Sequence, residues 1–202
     1  MKSFLERLTR KQAPIILVSG LPRSGTSLMM KMLAAGGIPP MTDHIRSPDE
    51  DNPKGYYEYE PAKKLREGDI TWLPDARGKA VKTISALLEH LPPGYNYKVV
   101  FMRRAMPEIL ASQRRMLVNR GEDPDKVDDE EMARIFEAHL GKVNGWLERQ
   151  PHFSVLYINY NDLVADPQDH IDRLDTFFDC RLDRGAMAAV IDPNLYRQRQ
   201  SG

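Results

Sequence analysis

Apolar residues in this chain alternate between short continuous runs and stripes at helical spacing. Short runs rich in β-branched and aromatic residues predict buried strands at 14–19, 80–82, 98–102 and 153–158. Stripes with a period near 3.6 predict helices at 25–35, 84–90, 106–117, 129–149 and 168–179. Strands that alternate with helices are typical of a parallel sheet covered on both faces. We therefore predict an α/β fold of three layers, α/β/α, with a central and mainly parallel sheet.

Two segments fall outside this alternation. Residues 3–10 place apolar positions among charges, which predicts a short amphipathic helix ahead of the first strand. Residues 38–79 are rich in proline, glycine and charge, and an irregular segment of that length is usually functional. Within it the aromatic stretch 52–58 predicts an ordered segment that faces the substrate. With 202 residues the chain is expected to form a single domain, residues 1–202, and no repeat or low-complexity tract is visible.

The first predicted strand leads into a loop with a glycine at each end, Gly20 and Gly25, and a helix follows directly. A strand–loop–helix of this kind directs backbone N–H groups and the positive end of a helix dipole at one point, which suits a phosphate or sulfate group. Arg23 adds a full positive charge, and Thr26 and Ser27 add hydroxyl groups in the first helical turn. The loop is therefore the first candidate anion-binding site.

This loop differs from the nucleotide-binding pattern G-x-x-x-x-G-K-[ST] at an informative position. Thr26 stands where that pattern has lysine, and the cation is Arg23, two residues before the second glycine. The sequence Pro22-Arg23-Ser24-Gly25-Thr26-Ser27 resembles the phosphosulfate loop of sulfotransferases, which reads roughly Pro-Lys/Arg-Ser-Gly-Thr-Ser/Thr. Those enzymes use 3'-phosphoadenosine 5'-phosphosulfate (PAPS) as their sulfuryl donor. The resemblance implies a P-loop-like fold and assigns Pro22, Arg23, Ser24, Gly25, Thr26 and Ser27 to binding this cofactor.

A second anion site is implied by the segment after the third predicted strand. Arg104 precedes Ser112 by eight residues, and sulfotransferases hold the nucleotide 3'-phosphate with an arginine and a serine at that spacing. The resemblance assigns this role to Arg104 and Ser112, with Glu108 at the usual acidic position. Met106 stands where the family commonly has proline, so Arg103 remains an alternative to Arg104.

Three weaker stretches extend the resemblance. Ala80-Val81-Lys82-Thr83 resembles the strand whose lysine faces the acceptor cleft, which implies that Lys82 contacts the leaving or acceptor oxygen. Tyr160-Asn161-Asp162-Leu163 resembles the Tyr-Glu-Asp-Leu segment after the fourth strand, with Asn161 in place of the glutamate. Asn52-Pro53-Lys54-Gly55-Tyr56-Tyr57-Glu58 resembles a segment of bacterial sulfotransferases that ends in a glutamate, which makes Glu58 a candidate for catalysis.

Transfer of a sulfuryl group requires stabilisation of charge on the leaving phosphate and removal of a proton from the acceptor. Arg23 and the loop N–H groups supply the first by preorganised electrostatics. Glu58 is the leading candidate for the general base, and Glu60, His44 and Asp43 are the alternatives. We expect no metal, because enzymes that transfer phosphoryl groups hold Mg²⁺ with an aspartate at a strand end, whereas the third strand here ends in arginines.

The charge balance, cysteine count and apolar stretches of the chain limit the kinds of molecule it is expected to bind. Lysine plus arginine and aspartate plus glutamate number 29 each, so no global basic field argues for nucleic acid. The single cysteine rules out an intramolecular disulfide, and no stretch approaches the roughly 18 apolar residues that span a bilayer. We expect a cytoplasmic enzyme that acts on a small-molecule or glycan acceptor. Two alternatives stay open: a P-loop kinase or nucleotide hydrolase, and a homologue that binds nucleotide without turnover.

Overall fold

The computed structural model describes residues 13–43 and 57–191. Within these residues the centre of the molecule is a sheet of four parallel strands in the order β2-β1-β3-β4. The strands are β1 (Ile15–Gly20), β2 (Ala80–Lys82), β3 (Tyr97–Arg103) and β4 (Phe153–Asn159). Each lies within one residue of its predicted bounds. The parallel sheet, with helices on both faces, confirms the predicted α/β class.

Helices connect the strands and cover the sheet. In chain order they are α1 (Thr26–Ala35), α2 (Glu60–Lys63), α3 (Leu73–Ala76), α4 (Met106–Asn119), α5 (Asp129–Leu147), α6 (Tyr160–Ala165), α7 (Pro167–Phe177) and α8 (Arg184–Ala189). Short 3₁₀ helices lie at Lys64–Glu67 and Ser85–His90. None of the described helices is long and apolar enough to cross a membrane.

The register of the sheet places the ends of neighbouring strands together. Val18 of β1 lies opposite Lys82 of β2, and Gly20 lies opposite Met102 of β3. Arg103, the last residue of β3, lies opposite Asn159 of β4. The loop after β1 and the segments after β2, β3 and β4 therefore begin at one edge of the sheet. Ligands of open α/β sheets bind at this edge, outside the carboxyl ends of the strands.

Two hydrophobic cores hold the layers together, because successive side chains of β1 point to opposite faces. Ile16 and Val18 pack with the methionines and leucine of α1 and with α7 on one face. Ile15 and Leu17 pack on the other face with Trp72, the 3₁₀ helix at Ser85–His90 and the end of α5. Every residue of β1 is buried, and each fully buried aliphatic side chain contributes roughly 1.5–3 kcal/mol to folding. The strand that carries the candidate loop is thus fixed from both sides.

The segment 38–79 contains more secondary structure than the sequence predicted. Its described part includes α2, α3 and a 3₁₀ helix, none longer than four residues, so no helical stripe is visible in the sequence. Trp72 is 4% exposed and packs edge-to-face on Tyr59 with ring centroids 5.8 Å apart. Trp72 therefore belongs to the hydrophobic core. Two more predictions, the helix at 3–10 and most of the stretch 52–58, lie outside the described residues.

Candidate active site

The loop after β1 is shaped by close contacts that only glycine allows. Gly20 has a φ of 148°, and a Cβ atom there would lie 2.6 Å from the carbonyl oxygen of Met102 and 2.6 Å from Ser24 Oγ. The buried Ser24 turns inward, and its hydroxyl donates to the carbonyl oxygen of Leu21 at 2.7 Å. The loop is therefore held by its own hydrogen bonds and by β3. Pro22 lies exposed at its surface.

Gly25 ends the loop and serves as the N-cap residue of α1. Its φ is 100°, and a Cβ atom there would lie 2.3 Å from Cδ2 of Tyr160. Because glycine brings no capping side chain, and the first turn of α1 has no acidic residue, the positive end of the helix is not neutralised by its own sequence. Thr26 and Ser27 begin the helix, as predicted, at a position that favours an anion.

Arg23 lies at the centre of the loop and reaches α4. Its φ of 69° is in the left-handed region, which costs a non-glycine residue roughly 1–2 kcal/mol. Its Nε donates a hydrogen bond to Ser112 Oγ at 2.8 Å. The structure therefore brings two residues that the sequence assigned to different ends of the donor nucleotide into direct contact.

Arg104 is held against this loop by several groups. Its Nη1 donates to the carbonyl oxygen of Arg23 at 3.1 Å, and its Nε donates to Glu108 Oε2 at 2.9 Å. Its guanidinium carbon lies 4.5 Å from the centroid of the Tyr160 ring. The side chains of Arg104 and Glu108 are 9% and 3% exposed, so this ion pair is largely withdrawn from water. A withdrawn guanidinium beside the loop is the kind of group that binds a phosphate strongly.

Arg103 occupies a different position. Its side chain is exposed and stacks on the ring of Tyr157, 3.9 Å from the ring centroid. Of these two arginines at the end of β3, Arg104 is the one shown in contact with the loop. The geometry therefore favours Arg104 over Arg103 as the arginine that forms the second candidate anion site together with Ser112.

Lys82 approaches the loop from the opposite side. It is the last residue of β2, and its Nζ donates to Ser27 Oγ at 3.1 Å. The parallel pairing of β1 with β2 produces this approach, because it places the end of β2 beside the start of the loop. Arg23 within the loop, Arg104 bound to the loop and Lys82 bound to Ser27 thus bring three cations to the loop and the start of α1.

Glu58 lies just before α2, on a segment tied to residues 42–43. Its carbonyl oxygen accepts hydrogen bonds from Thr42 Oγ1 at 3.0 Å and from the N–H of Asp43 at 3.3 Å. Its carboxylate forms an ion pair with Lys63 at 2.6 Å, and Glu60 binds the same ammonium group at 2.5 Å. Burial lowers the pKa of Lys63, but the hydrogen bonds to the two carboxylates outweigh this and raise it overall. Lys63 therefore stays charged.

Of the alternative candidate bases, Asp43 is described in the structure and His44 is not. Asp43 Oδ2 accepts a hydrogen bond from the N–H of Glu60 at 2.6 Å, which fixes the start of α2. His44 lies outside the described residues. Across residues 13–43 and 57–191, no group of three or more histidine, cysteine, aspartate or glutamate side chains is arranged to hold a metal ion.

Comparison with known proteins identifies the family. The sulfotransferase domain model matches residues 13–198, which is nearly the whole chain. The chain belongs to the sulfotransferase family. A comparison with curated protein sequences gives no match.

Solved structures show that the fold is shared with other sulfotransferases. The sulfotransferase domain from the curacin biosynthetic pathway superposes with a TM-score of 0.52 at 16% identity, covering 94% of this chain and 79% of that one. Sulfotransferase STF1 from Mycobacterium tuberculosis H37Rv superposes with a TM-score of 0.57 at 18% identity, covering 92% of this chain and 73% of that one. At these identities the similarity concerns the fold.

Tyr160 contacts the candidate site but is not predicted as a site residue from the sequence. Tyr160 is buried between Gly25 and the guanidinium of Arg104. Burial raises the pKa of the Tyr160 phenol above its ordinary value of 10.0. The charge of Arg104 lowers this pKa and the charge of Glu108 raises it, and the net effect is a raised pKa. Tyr160 therefore stays neutral and presents an aromatic face to Arg104. Its signal in the sequence was the Tyr-Asn-Asp-Leu segment at the end of β4.

Proposed function

We propose that the chain transfers a sulfuryl group from PAPS to a hydroxyl or amine group of a small-molecule or glycan acceptor, without a metal ion. The observation that carries this proposal is the contact between Arg23 of the loop and Ser112 of α4, with Arg104 bound to the same loop. These contacts join the cationic loop at the N-terminus of α1 to the guanidinium of Arg104 and the hydroxyl of Ser112. A nucleotide with anionic groups at both its 3' and 5' positions matches such a pair of neighbouring sites.

The residues present fit the donor by the chemistry of their side chains. Arg104 and Ser112 would hold the 3'-phosphate, and Arg23, Thr26 and Ser27 would hold the 5'-phosphosulfate group. A serine hydroxyl offers one donor and two acceptor positions, so Ser112 can accept from Arg23 and still donate its own O–H to a phosphate. Arginine suits both ends because its planar guanidinium binds phosphate and sulfate oxygens in pairs.

Transfer moves the sulfur from the phosphate oxygen of the donor to an oxygen or nitrogen of the acceptor. When bound, PAPS supplies the activated sulfuryl group, and adenosine 3',5'-bisphosphate leaves with the electron pair of the broken S–O bond. Arg23 and Lys82 stabilise the negative charge that develops at the leaving oxygen, as fixed cations beside a helix N-terminus. Removal of one such stabilising group typically lowers kcat by about 10²–10³-fold.

Glu58 is the residue we propose as the general base. Its carboxylate would take the proton of the acceptor, and Lys63 would hold that carboxylate in position before the proton arrives. General-base assistance of this kind contributes about 10²–10⁴-fold to the rate. The balanced charge of the chain and its single cysteine agree with a cytoplasmic enzyme of small acceptors rather than a nucleic-acid-binding protein.

Titration calorimetry distinguishes the proposed function from the alternatives. We expect adenosine 3',5'-bisphosphate to bind without magnesium and ATP to bind far more weakly. Tighter binding of ATP that depends on magnesium would support a kinase or nucleotide hydrolase. Binding of the bisphosphate without transfer of labelled sulfate from PAPS to any of a broad acceptor panel would support a homologue without turnover.

A further inference from the structure

Asn161, at the second position of α6, connects two elements that come together at the candidate active site. Its Oδ1 accepts a hydrogen bond from the N–H of Ala105 at 3.1 Å. Its Nδ2 donates to Glu108 Oε1 at 2.8 Å, and the other carboxylate oxygen, Oε2, accepts from Arg104 Nε at 2.9 Å. One amide thus contacts the start of α4 and the acidic partner of Arg104 simultaneously.

The sequence of α4 explains why this amide is needed. The N-cap residue of α4 is Ala105, which has no side chain able to accept a hydrogen bond. Glu108 lies at the third helical position, from which a glutamate often reaches back to the N–H of the N-cap residue. Here its carboxylate is bound to Arg104 and Asn161 instead. Asn161 therefore supplies from another helix the acceptor that Ala105 would otherwise lack.

The same contact stabilises a buried ion pair. The side chains of Arg104 and Glu108 are 9% and 3% exposed, and withdrawing two charges from water is costly unless further hydrogen bonds satisfy them. The Nδ2 of Asn161 provides such a bond to Glu108. Because an amide is neutral, it does so without adding a second negative charge beside the guanidinium.

We propose that Asn161 and Glu108 are positioning residues for Arg104, which fix its guanidinium at the place where the 3'-phosphate of the donor binds. This inference rests on the proposed PAPS site. Asn161 acts through Glu108, and Glu108 orients Arg104 by accepting from Nε. With Nε held in this way, Nη1 of Arg104 donates to the carbonyl oxygen of Arg23 in the loop.

The affinity ratio between adenosine 3',5'-bisphosphate and AMP tests this role, because the two ligands differ only in the 3'-phosphate. Calorimetry without magnesium gives both dissociation constants. For Asn161→Leu we expect bisphosphate affinity to fall about tenfold, the usual order for the loss of a charge-assisted hydrogen bond, while AMP affinity stays near that of the wild type. Asn144→Leu is the matched control, since Asn144 Oδ1 accepts its described hydrogen bond from the hydroxyl of Tyr157. It should leave both affinities unchanged.

A second pair of variants keeps the test decisive if Asn161→Leu does not fold. Asn161→Asp retains the shape and an acceptor for Ala105 but places a carboxylate against Glu108, so the ratio should fall. Adding Glu108→Gln exchanges the amide and the carboxylate, which restores the hydrogen-bond pattern and the net charge. We expect this double variant to regain most of the wild-type ratio.

The outcomes separate the inference from the proposed function. If the wild type prefers the bisphosphate strongly and every Asn161 variant keeps that preference, the positioning role is wrong while the donor site stands. If the wild type binds both ligands equally, the 3'-phosphate site itself is wrong, and the inference fails with it. A ratio that falls in Asn161→Asp and returns in the double variant supports the positioning role.

Discussion

Arg23 Nε donates a hydrogen bond to Ser112 Oγ at 2.8 Å, across 89 positions of sequence. This contact joins the loop after β1 to the first half of α4 at one edge of the sheet. Arg104, two residues before α4, binds the carbonyl oxygen of Arg23 and adds a second connection to the loop. The sequence suggested one group of cations at each end of a nucleotide, whereas the structure makes the two groups contiguous.

The left-handed φ of Arg23 allows its side chain to be removed while backbone strain is relieved, which offsets the loss of the hydrogen bond to Ser112. Arg23→Gly deletes the guanidinium and suits the φ of 69° better than any other residue. We expect a fall in kcat of about 10²–10³-fold, because a fixed cation at the leaving group is lost, with little change in thermal stability. Transfer assays and thermal unfolding of Arg23→Gly beside Arg23→Ala check this. Wild-type turnover in Arg23→Gly would exclude Arg23 from the mechanism.

Gly25 and Gly37 form a matched pair for testing the loop geometry. Both have a φ near 100°, but an added Cβ would meet the Tyr160 ring at 2.3 Å only at Gly25, while at Gly37 nothing lies within 4 Å. Alanine at either position should cost stability through the left-handed backbone, by roughly 1–2 kcal/mol. Gly25→Ala alone should also displace Tyr160 and weaken bisphosphate binding about tenfold or more. Equal affinities of the two variants in calorimetry would contradict this account.

Glu58 and Glu60 offer a second matched pair, because both carboxylates bind Lys63. Each glutamine variant removes one negative charge beside the same ammonium group, so the structural effects largely cancel. We expect Glu58→Gln to lower turnover by about 10²–10⁴-fold with unchanged affinity for the bisphosphate, and Glu60→Gln to stay close to wild type. Transfer assays with labelled PAPS measure the difference. If the Glu60 variant loses activity and the Glu58 variant retains it, the proton acceptor has been assigned to the wrong residue.

His139 of α5 gives a prediction about stability rather than activity. Its Nε2 lies 2.8 Å from Ser85 Oγ, and burial lowers its pKa below the usual value. Between the lowered pKa and about 6.5, the folded protein binds fewer protons at this site than the unfolded chain. The free energy of unfolding should therefore rise with pH through this window, and the His139 contribution is lost as the pH falls through the same window. Urea unfolding at several pH values between about pH 5 and pH 7 measures this dependence. In His139→Gln the free energy of unfolding should change less with pH than in the wild type. An identical change with pH in the two proteins would exclude this contribution.

Most of the fold could be predicted from the sequence because its strands are short, buried and apolar. The run from Ile15 to Gly20 and the run ending at Arg103 are both distinct, and parallel pairing follows from the helices between them. Shorter elements were not readable: α6 and α8 have six residues each, and the helical turns near Trp72 have four. Segments of that length are fixed by tertiary contacts rather than by their own periodicity.

The candidate site was readable where its residues are consecutive. The loop from Pro22 to Ser27 carries its own pattern, and Arg104 and Ser112 lie only eight residues apart, on either side of the start of α4. The contacts that connect these pieces cross long stretches of chain, such as Asn161 to Glu108 over 53 positions. Local patterns contain no information on such pairs, which depend on strand order and register. Tyr160 was missed as a site residue for the same reason.

A crystal structure with adenosine 3',5'-bisphosphate tests the central claim most directly. We expect its 3'-phosphate at Arg104 and Ser112 and its 5'-phosphate at the N-terminus of α1, beside Thr26 and Ser27. A nucleotide bound elsewhere, or a magnesium ion between Thr26 and Asp162, would contradict the account.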